Sequence, residues 1–119
     1  MKIQLISLFP EVLEPYLSAS MLWKASELGV VEYSCINLRD FGLGNRKTVD
    51  DTPYGGGDGM LLKPEPVVEA IEHAKNIDPE ALVLLPTPRG VIYRQSVAKE
   101  LALGGKGLII VCPRYEGYD

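Results

Sequence analysis

Four apolar runs, spaced along 119 residues, constrain this chain more than anything else in it. Lys2 to Leu8 is apolar except at Gln4 and Ser7, Val30 to Leu38 follows, and Ala81–Leu85 and Gly107–Cys112 come later. Runs of this length without polar alternation read as strands covered on both faces. Between them lie segments with helical spacing. Pro10 opens a helix with Glu11 in its first turn and Val12, Leu13, Tyr16 and Leu17 at helical positions, and Pro15 shortens or kinks it. Ser18 or Ser20 is expected to cap a second helix whose apolar stripe is Met21, Leu22, Ala25 and Leu28, with Gly29 ending it. After Pro66, Val67, Ala70, Ala74 and Ile71 face inward, with Glu65, Glu69, Glu72 and the single histidine, His73, facing water. Tyr93 to Leu103 is a further helix, punctuated by Gly104-Gly105. Strands alternating with helices predict an α/β domain with a mostly parallel sheet flanked by helices.

In such a sheet, ligands bind beyond the carboxyl ends of the strands. Two loops have that address, the one after Leu85 and the one after Cys112. A third segment stands out for its composition. Thr48 to Met60 carries Asp50, Asp51, Pro53 and Tyr54, then Gly55, Gly56, Gly57, Asp58 and Gly59. Glycine loses more backbone entropy on ordering than any other residue, so four of them in five positions point to positive φ or to close approach of a partner. A flexible linker is the competing reading, but linkers bring serine and further polar residues, not Pro-Tyr before and Met60-Leu61-Leu62 after. Residues 42 to 58 show no periodicity, and a long segment of this kind inside a small domain is usually functional.

Several chemistries are excluded. A phosphate-binding P-loop needs Lys-Ser/Thr after its last glycine and a helix directly behind, whereas Met60-Leu61-Leu62-Lys63-Pro64 follows here. The glycines at 55, 57 and 59 also lack the dinucleotide spacing, and Gly104-Gly105-Lys106-Gly107 has no hydroxyl residue. Two cysteines, Cys35 and Cys112, lie far apart in strands, which suits buried thiols and not a zinc site, so no metal is expected. A net charge of -4 means that any RNA contact must be local. No apolar run approaches the roughly 20 residues of a membrane helix, and a cytoplasmic protein with no membrane partner is the simplest fit. Trp23 is read as packing, and His73 as uninvolved.

With these segments placed, the chain resembles a family. Ile6-Ser7-Leu8-Phe9-Pro10-Glu11, Leu38-Arg39-Asp40-Phe41, Thr48-Val49-Asp50-Asp51, Pro53-Tyr54-Gly55-Gly56-Gly57, Gly59-Met60 and Arg114-Tyr115-Glu116-Gly117 stand in the order and spacing of bacterial tRNA (guanine-N1)-methyltransferase. That family belongs to the SPOUT class, whose α/β domain is tied in a trefoil knot and uses S-adenosylmethionine. The resemblance covers residues 1–119 as the N-terminal part of such a domain, with the family's C-terminal half absent. The end at Tyr118-Asp119, just past a strand and inside a site loop, likewise reads as that of a fragment.

The resemblance implies roles for named residues. Leu85, Pro86, Thr87 and Pro88, with Pro113, Tyr115, Glu116 and Gly117, would wall the S-adenosylmethionine pocket. Asp50, Tyr54, Gly55, Gly56, Gly57 and Gly59 would face the tRNA anticodon loop, and Glu116 would lie near the target guanine. The family's base, an aspartate, lies beyond Asp119, so the fragment alone is expected to be inactive. A homodimer is implied for the full-length protein. Three positions depart from the family pattern. Thr87-Pro88-Arg89-Gly90 replaces Ser-Pro-Gln-Gly, Asp58 replaces a proline, and Pro113 replaces a glycine before Arg-Tyr-Glu-Gly. Proline removes a backbone N–H and fixes φ, which bears on cofactor binding. A non-catalytic module for dimerisation or RNA docking is the alternative from another class.

Overall fold

A computed structural model describes residues 1–41, 50–51, 61–62, 64–86, 92–112 and 117–118. Four parallel strands make its main sheet: β1 (Lys2–Ser7), β2 (Glu32–Asn37), β5 (Leu82–Leu84) and β6 (Leu108–Val111), in the order β2-β1-β6-β5. Three two-residue strands make a second sheet: β3 (Asp50–Asp51), β4 (Leu61–Leu62) and β7 (Gly117–Tyr118). The helices are α1 (Pro10–Leu17), α2 (Ser20–Glu27), α3 (Pro64–Ile77) and α4 (Gln95–Gly104).

The order of the strands explains where the helices go. The connection from β1 to β2 runs outward in one direction, and the one from β2 to β5 runs back across the whole sheet. Right-handed crossovers therefore require α1 and α2 on one face and α3 on the other. Accordingly α1 packs on β2 and β1, whereas α3 packs on β1, β6 and the 3-10 turn Leu38–Phe41. The core lies on the α3 face. Ile6, Leu8, Leu38, Ile109 and Val111 meet Val67, Ala70 and Ala74, all of them buried. The small residues of α3 let the helix approach the sheet closely. Buried Gln4 shares this face, and its Nε2 donates to the Ala74 carbonyl at 3.1 Å.

The predicted α/β class and parallel sheet are what the structure has. Strand boundaries shrink by a residue or two at most ends, and α3 starts at Pro64, with Pro66 buried in its first turn. Pro64 and Pro66 do not delay the helix, because an amide in the first turn has no intrahelical partner to lose. Gly29 and Gly105 have positive φ, 74° and 70°, as helix-ending glycines should.

Other expectations fail. Neither Ser18 nor Ser20 caps α2: the N-cap is Ala19 without a side-chain bond, and Ser18 Oγ donates back to the Glu14 carbonyl at 3.0 Å. The α2 stripe is not core, since Met21 is 82% exposed and Leu28 is exposed too. Residues 81–85 are not a strand buried on both faces. As β5 they form the sheet's edge, and Leu82, Val83 and Leu85 are exposed. An apolar run reports the burial its final neighbours give it, and β5 has a strand on one side only among the described residues.

Gly107 is fixed by close approach. A Cβ there would collide with the Asp78 side chain and lie 2.9 Å from the Lys2 carbonyl oxygen. Its own carbonyl accepts the Leu82 N–H at 2.9 Å, so the residue joins β5, β6 and β1 at one point. Gly107→Ala should therefore destabilise the fold by about 1–3 kcal/mol, the usual range for forced overpacking. Urea unfolding checks this, and a loss below about 0.5 kcal/mol, the scatter of ordinary surface substitutions, would show that β1 yields freely.

Candidate functional site

The site begins with the parallel pairing of β5 and β6. Leu84 is level with Ile110, so the chain leaves both strands at one edge of the sheet. On β6 the ladder continues one residue past the strand, with Cys112 N–H donating to the Ile6 carbonyl at 2.8 Å. The loops that start at Leu85 and at residue 113 thus leave side by side. Leu85 is 49% exposed and Pro86 is exposed as well, an apolar ledge beside the end of β6.

A second arrangement brings the remaining segments together. β3 pairs antiparallel with β4, Asp50 opposite Leu62 and Asp51 opposite Leu61. This ties together the two ends of the glycine-rich stretch. β4 also pairs parallel with β7, Leu61 with Gly117 and Leu62 with Tyr118. The backbone of Gly117 is therefore joined to the base of the glycine-rich segment. Five residues span at most about 18 Å, so Gly117 also stays close to Cys112 and the main sheet edge.

Of the predicted site residues, Leu85 and Pro86 sit at the sheet edge, and Asp50 and Gly117 are joined through β4. Thr87, Pro88, Pro113, Tyr115, Glu116, Tyr54, Gly55, Gly56, Gly57 and Gly59 lie outside the described residues. The strand at Asp50–Asp51 was not expected from a segment without periodicity. Two residues are too few to show a period, and Leu61-Leu62 was the available signal for its partner.

The other two strand ends carry features with no predicted role. Ser7 and Asn37 are level in the β1–β2 pair. Each side chain accepts the N–H two residues ahead, Phe9 N–H to Ser7 Oγ and Arg39 N–H to Asn37 Oδ1, both at 3.0 Å. These local bonds turn both chains in the same way. They bring the Arg39 guanidinium over the Phe9 ring, 5.1 Å from its centroid, with Nε–H donating to the Leu8 carbonyl at 3.4 Å. Next to them, His73 is exposed as expected but has a ring partner, Phe41, with centroids 5.5 Å apart.

Trp23 does not pack in the core, being 48% exposed. With Glu14, Leu17, Tyr33 and Cys35 it lines an open cleft of about 390 Å³ between α1, α2 and β2, at the opposite end of the strand order from β5. Burial, then the Glu14 charge, pushes the Cys35 thiol up, and burial, then Cys35, does the same to Cys112. Both are free thiols. They lie on strands separated by β1, about 9.6 Å apart or more, beyond the reach of a disulfide.

Comparison with known proteins adds a family. The profile of the tRNA (Guanine-1)-methyltransferase TrmD family matches residues 1–119. A tRNA (guanine-N(1)-)-methyltransferase of Myxococcus xanthus is 47% identical over 117 residues, which is 98% of this chain and 47% of the relative. The protein of that name from Brevibacillus brevis is 47% identical over 119 residues, covering 100% of this chain and 48% of its own length. The crystal structure of tRNA (m1G37) methyltransferase from Aquifex aeolicus superposes with a TM-score of 0.87 at 34% identity, covering 100% of this chain and 53% of that one. The chain thus spans about half the length of these relatives.

The raised thiols give a pH signature. Their stabilising contribution is complete below the unfolded value of about 8.5 and is lost as pH rises through the higher folded values. Between pH 8 and 10 the protein should lose more stability than its Cys35→Ala/Cys112→Ala form, as read by urea unfolding. Parallel curves for the two forms would contradict the assignment.

Proposed function

We propose a function for a chain that belongs to the tRNA (guanine-1)-methyltransferase family: it forms the N-terminal, cofactor-binding part of a SPOUT-type enzyme that methylates N1 of the guanine on the 3′ side of the tRNA anticodon. The observation that carries this reading is the shared edge. The β5 and β6 loops leave one side of the sheet together, and β4 joins the glycine-rich segment to Gly117. One surface can then serve both cofactor and RNA.

The described residues fit S-adenosylmethionine as far as they go. Leu85 and Pro86 offer an exposed apolar ledge at the carboxyl edge, suited to a flat adenine ring. Thr87, Pro88, Pro113, Tyr115, Glu116 and Gly117 complete that wall in this reading. Bound there, the cofactor supplies a methyl group on a sulfonium, and its transfer leaves a neutral thioether. Asp50, Tyr54, Gly55, Gly56, Gly57 and Gly59 hold the anticodon loop, whose unstacked guanine offers its Watson–Crick edge. Guanine N1 is protonated at neutral pH, so a carboxylate must take its proton as the N1–methyl bond forms. Glu116 lies beside that guanine, and the base itself comes from the family's second half. The working protein is a cytoplasmic homodimer in this reading. Among the described residues no helix is long and apolar enough to cross a membrane.

One residue favours a second reading. Pro113, where the family has glycine, removes a backbone donor beside the cofactor, as a docking module that no longer catalyses could tolerate.

Joined to the family's second half, this chain should move a labelled methyl group from S-adenosylmethionine to guanine N1 of a tRNA with guanine 3′ to its anticodon. The 119-residue chain alone should transfer none. RNA binding without turnover in the joined protein would leave the docking module as the function. Turnover by the chain alone would show that it contains its own base.

A further inference from the structure

Arg39 is a cation held in place by a ring and a carbonyl. Among the described residues it makes no ion pair; the Phe9 ring and the Leu8 carbonyl position it instead. An exposed arginine with a flexible stem usually samples many rotamers. Here the guanidinium stands over a ring and Nε–H is engaged, so the fork is preorganised, and among the described residues its terminal nitrogens have no partner. The support is built from both strands, through the paired Ser7 and Asn37 turns.

Its position differs from that of three other described cations. Lys2 and Lys106 lie at the amino ends of β1 and β6, and Lys75 Nζ is committed to the Pro79 and Ala81 carbonyls at 2.7 and 3.0 Å. Arg39 instead stands at the carboxyl edge, where β1 and β2 end beside β6. A chain of net charge -4 cannot gather RNA by its overall field, so its phosphate contacts must be placed one at a time.

We propose that Arg39, stacked on Phe9, grips a backbone phosphate of the RNA substrate, with the Phe41–His73 ring pair forming the adjoining surface. A planar fork whose two terminal nitrogens have no partner among the described residues matches two phosphate oxygens. This rests on the RNA-directed reading above, and it adds a contact at the ends of β1 and β2 from a residue outside the glycine-rich segment. Asp40, the next residue, is exposed, and among the described residues no carboxylate pairs with Arg39.

Fluorescence anisotropy of a labelled RNA hairpin carrying an anticodon loop, titrated with the chain joined to the family's second half, tests this. Arg39→Ala should raise Kd about 3- to 10-fold, as loss of one exposed charge-assisted contact does. It should also flatten the dependence of log K on log salt by about 0.7, one single-strand phosphate contact. Arg39→Lys should keep the salt slope and lose part of the affinity, because it retains charge but not the fork. Lys99→Ala, an equal charge loss on α4, should stay within about twofold. If Arg39→Ala lowers the melting temperature but leaves Kd and slope unchanged, Arg39 is only a tie between strand ends and the inference fails. Equal losses from Lys99→Ala would reduce it to a bulk-charge effect, which also overturns it. No binding of the hairpin by the unsubstituted joined protein would overturn the RNA-directed reading itself.

Discussion

Strand β1 is hydrogen-bonded on both sides, to β2 along Lys2–Ser7 and to β6 along Ile3–Ile6, and the rest of the molecule depends on those two ladders. They fix the register of three strands at once, so the ends of β1, β2 and β6 fall at one edge. The missing Cβ at Gly107 lets β6 approach the β1 backbone. One face of β1 is closed by α3, through Ile6, Leu8 and the Gln4 bond to Ala74. With Ile6, Ile109 and Val111 fully buried against Ala70 and Ala74, the edge that carries the candidate site rests on a close-packed layer.

The two faces of the sheet are not equally covered. α1, α2 and α4 contribute no buried residue, and Met21, Leu28 and Leu103 are exposed. The same contrast explains which parts of the fold were legible from sequence. β1, β6 and α3 meet one another, and their apolar patterns reported that burial directly. Local signals with a single physical cause were also readable, such as the positive φ of Gly29 and Gly105. β5 and α2 carry apolar patterns of the same strength, but their final neighbours do not bury them. Periodicity records what a residue is suited to, and only the assembled neighbours decide whether it is covered.

The candidate site was legible in a different way. The rule that ligands lie past the carboxyl ends of parallel strands pointed to Leu85 and the chain after Cys112, and the resemblance pointed to Asp50 and Gly117, which the structure joins through β4. The β4 pairing that joins Asp50 to Gly117 was not visible, because strands of two residues leave no pattern and β4 pairs with residues 10 and 12 positions away on one side and 56 on the other. Nor was the Arg39–Phe9 stack. It arises from Ser7 and Asn37 standing level across β1 and β2, which depends on register, and a single sequence does not display register. Leu38-Arg39-Asp40-Phe41 stands in the sequence as one motif of the resemblance, and nothing in its pattern sets the arginine apart from a solvated cation.

The central claim is that the loops after β5 and β6 and the small sheet serve one ligand edge. Backbone amide NMR of the chain, titrated with S-adenosylmethionine, tests it most directly. The account predicts that Leu85, Cys112, Gly117 and Tyr118 shift first, with Asp50 and Asp51 responding through β4, while Trp23, Tyr33 and Cys35 around the cleft stay still. Shifts concentrated at that cleft, or at Lys2 and Lys106 on the amino edge, would contradict it.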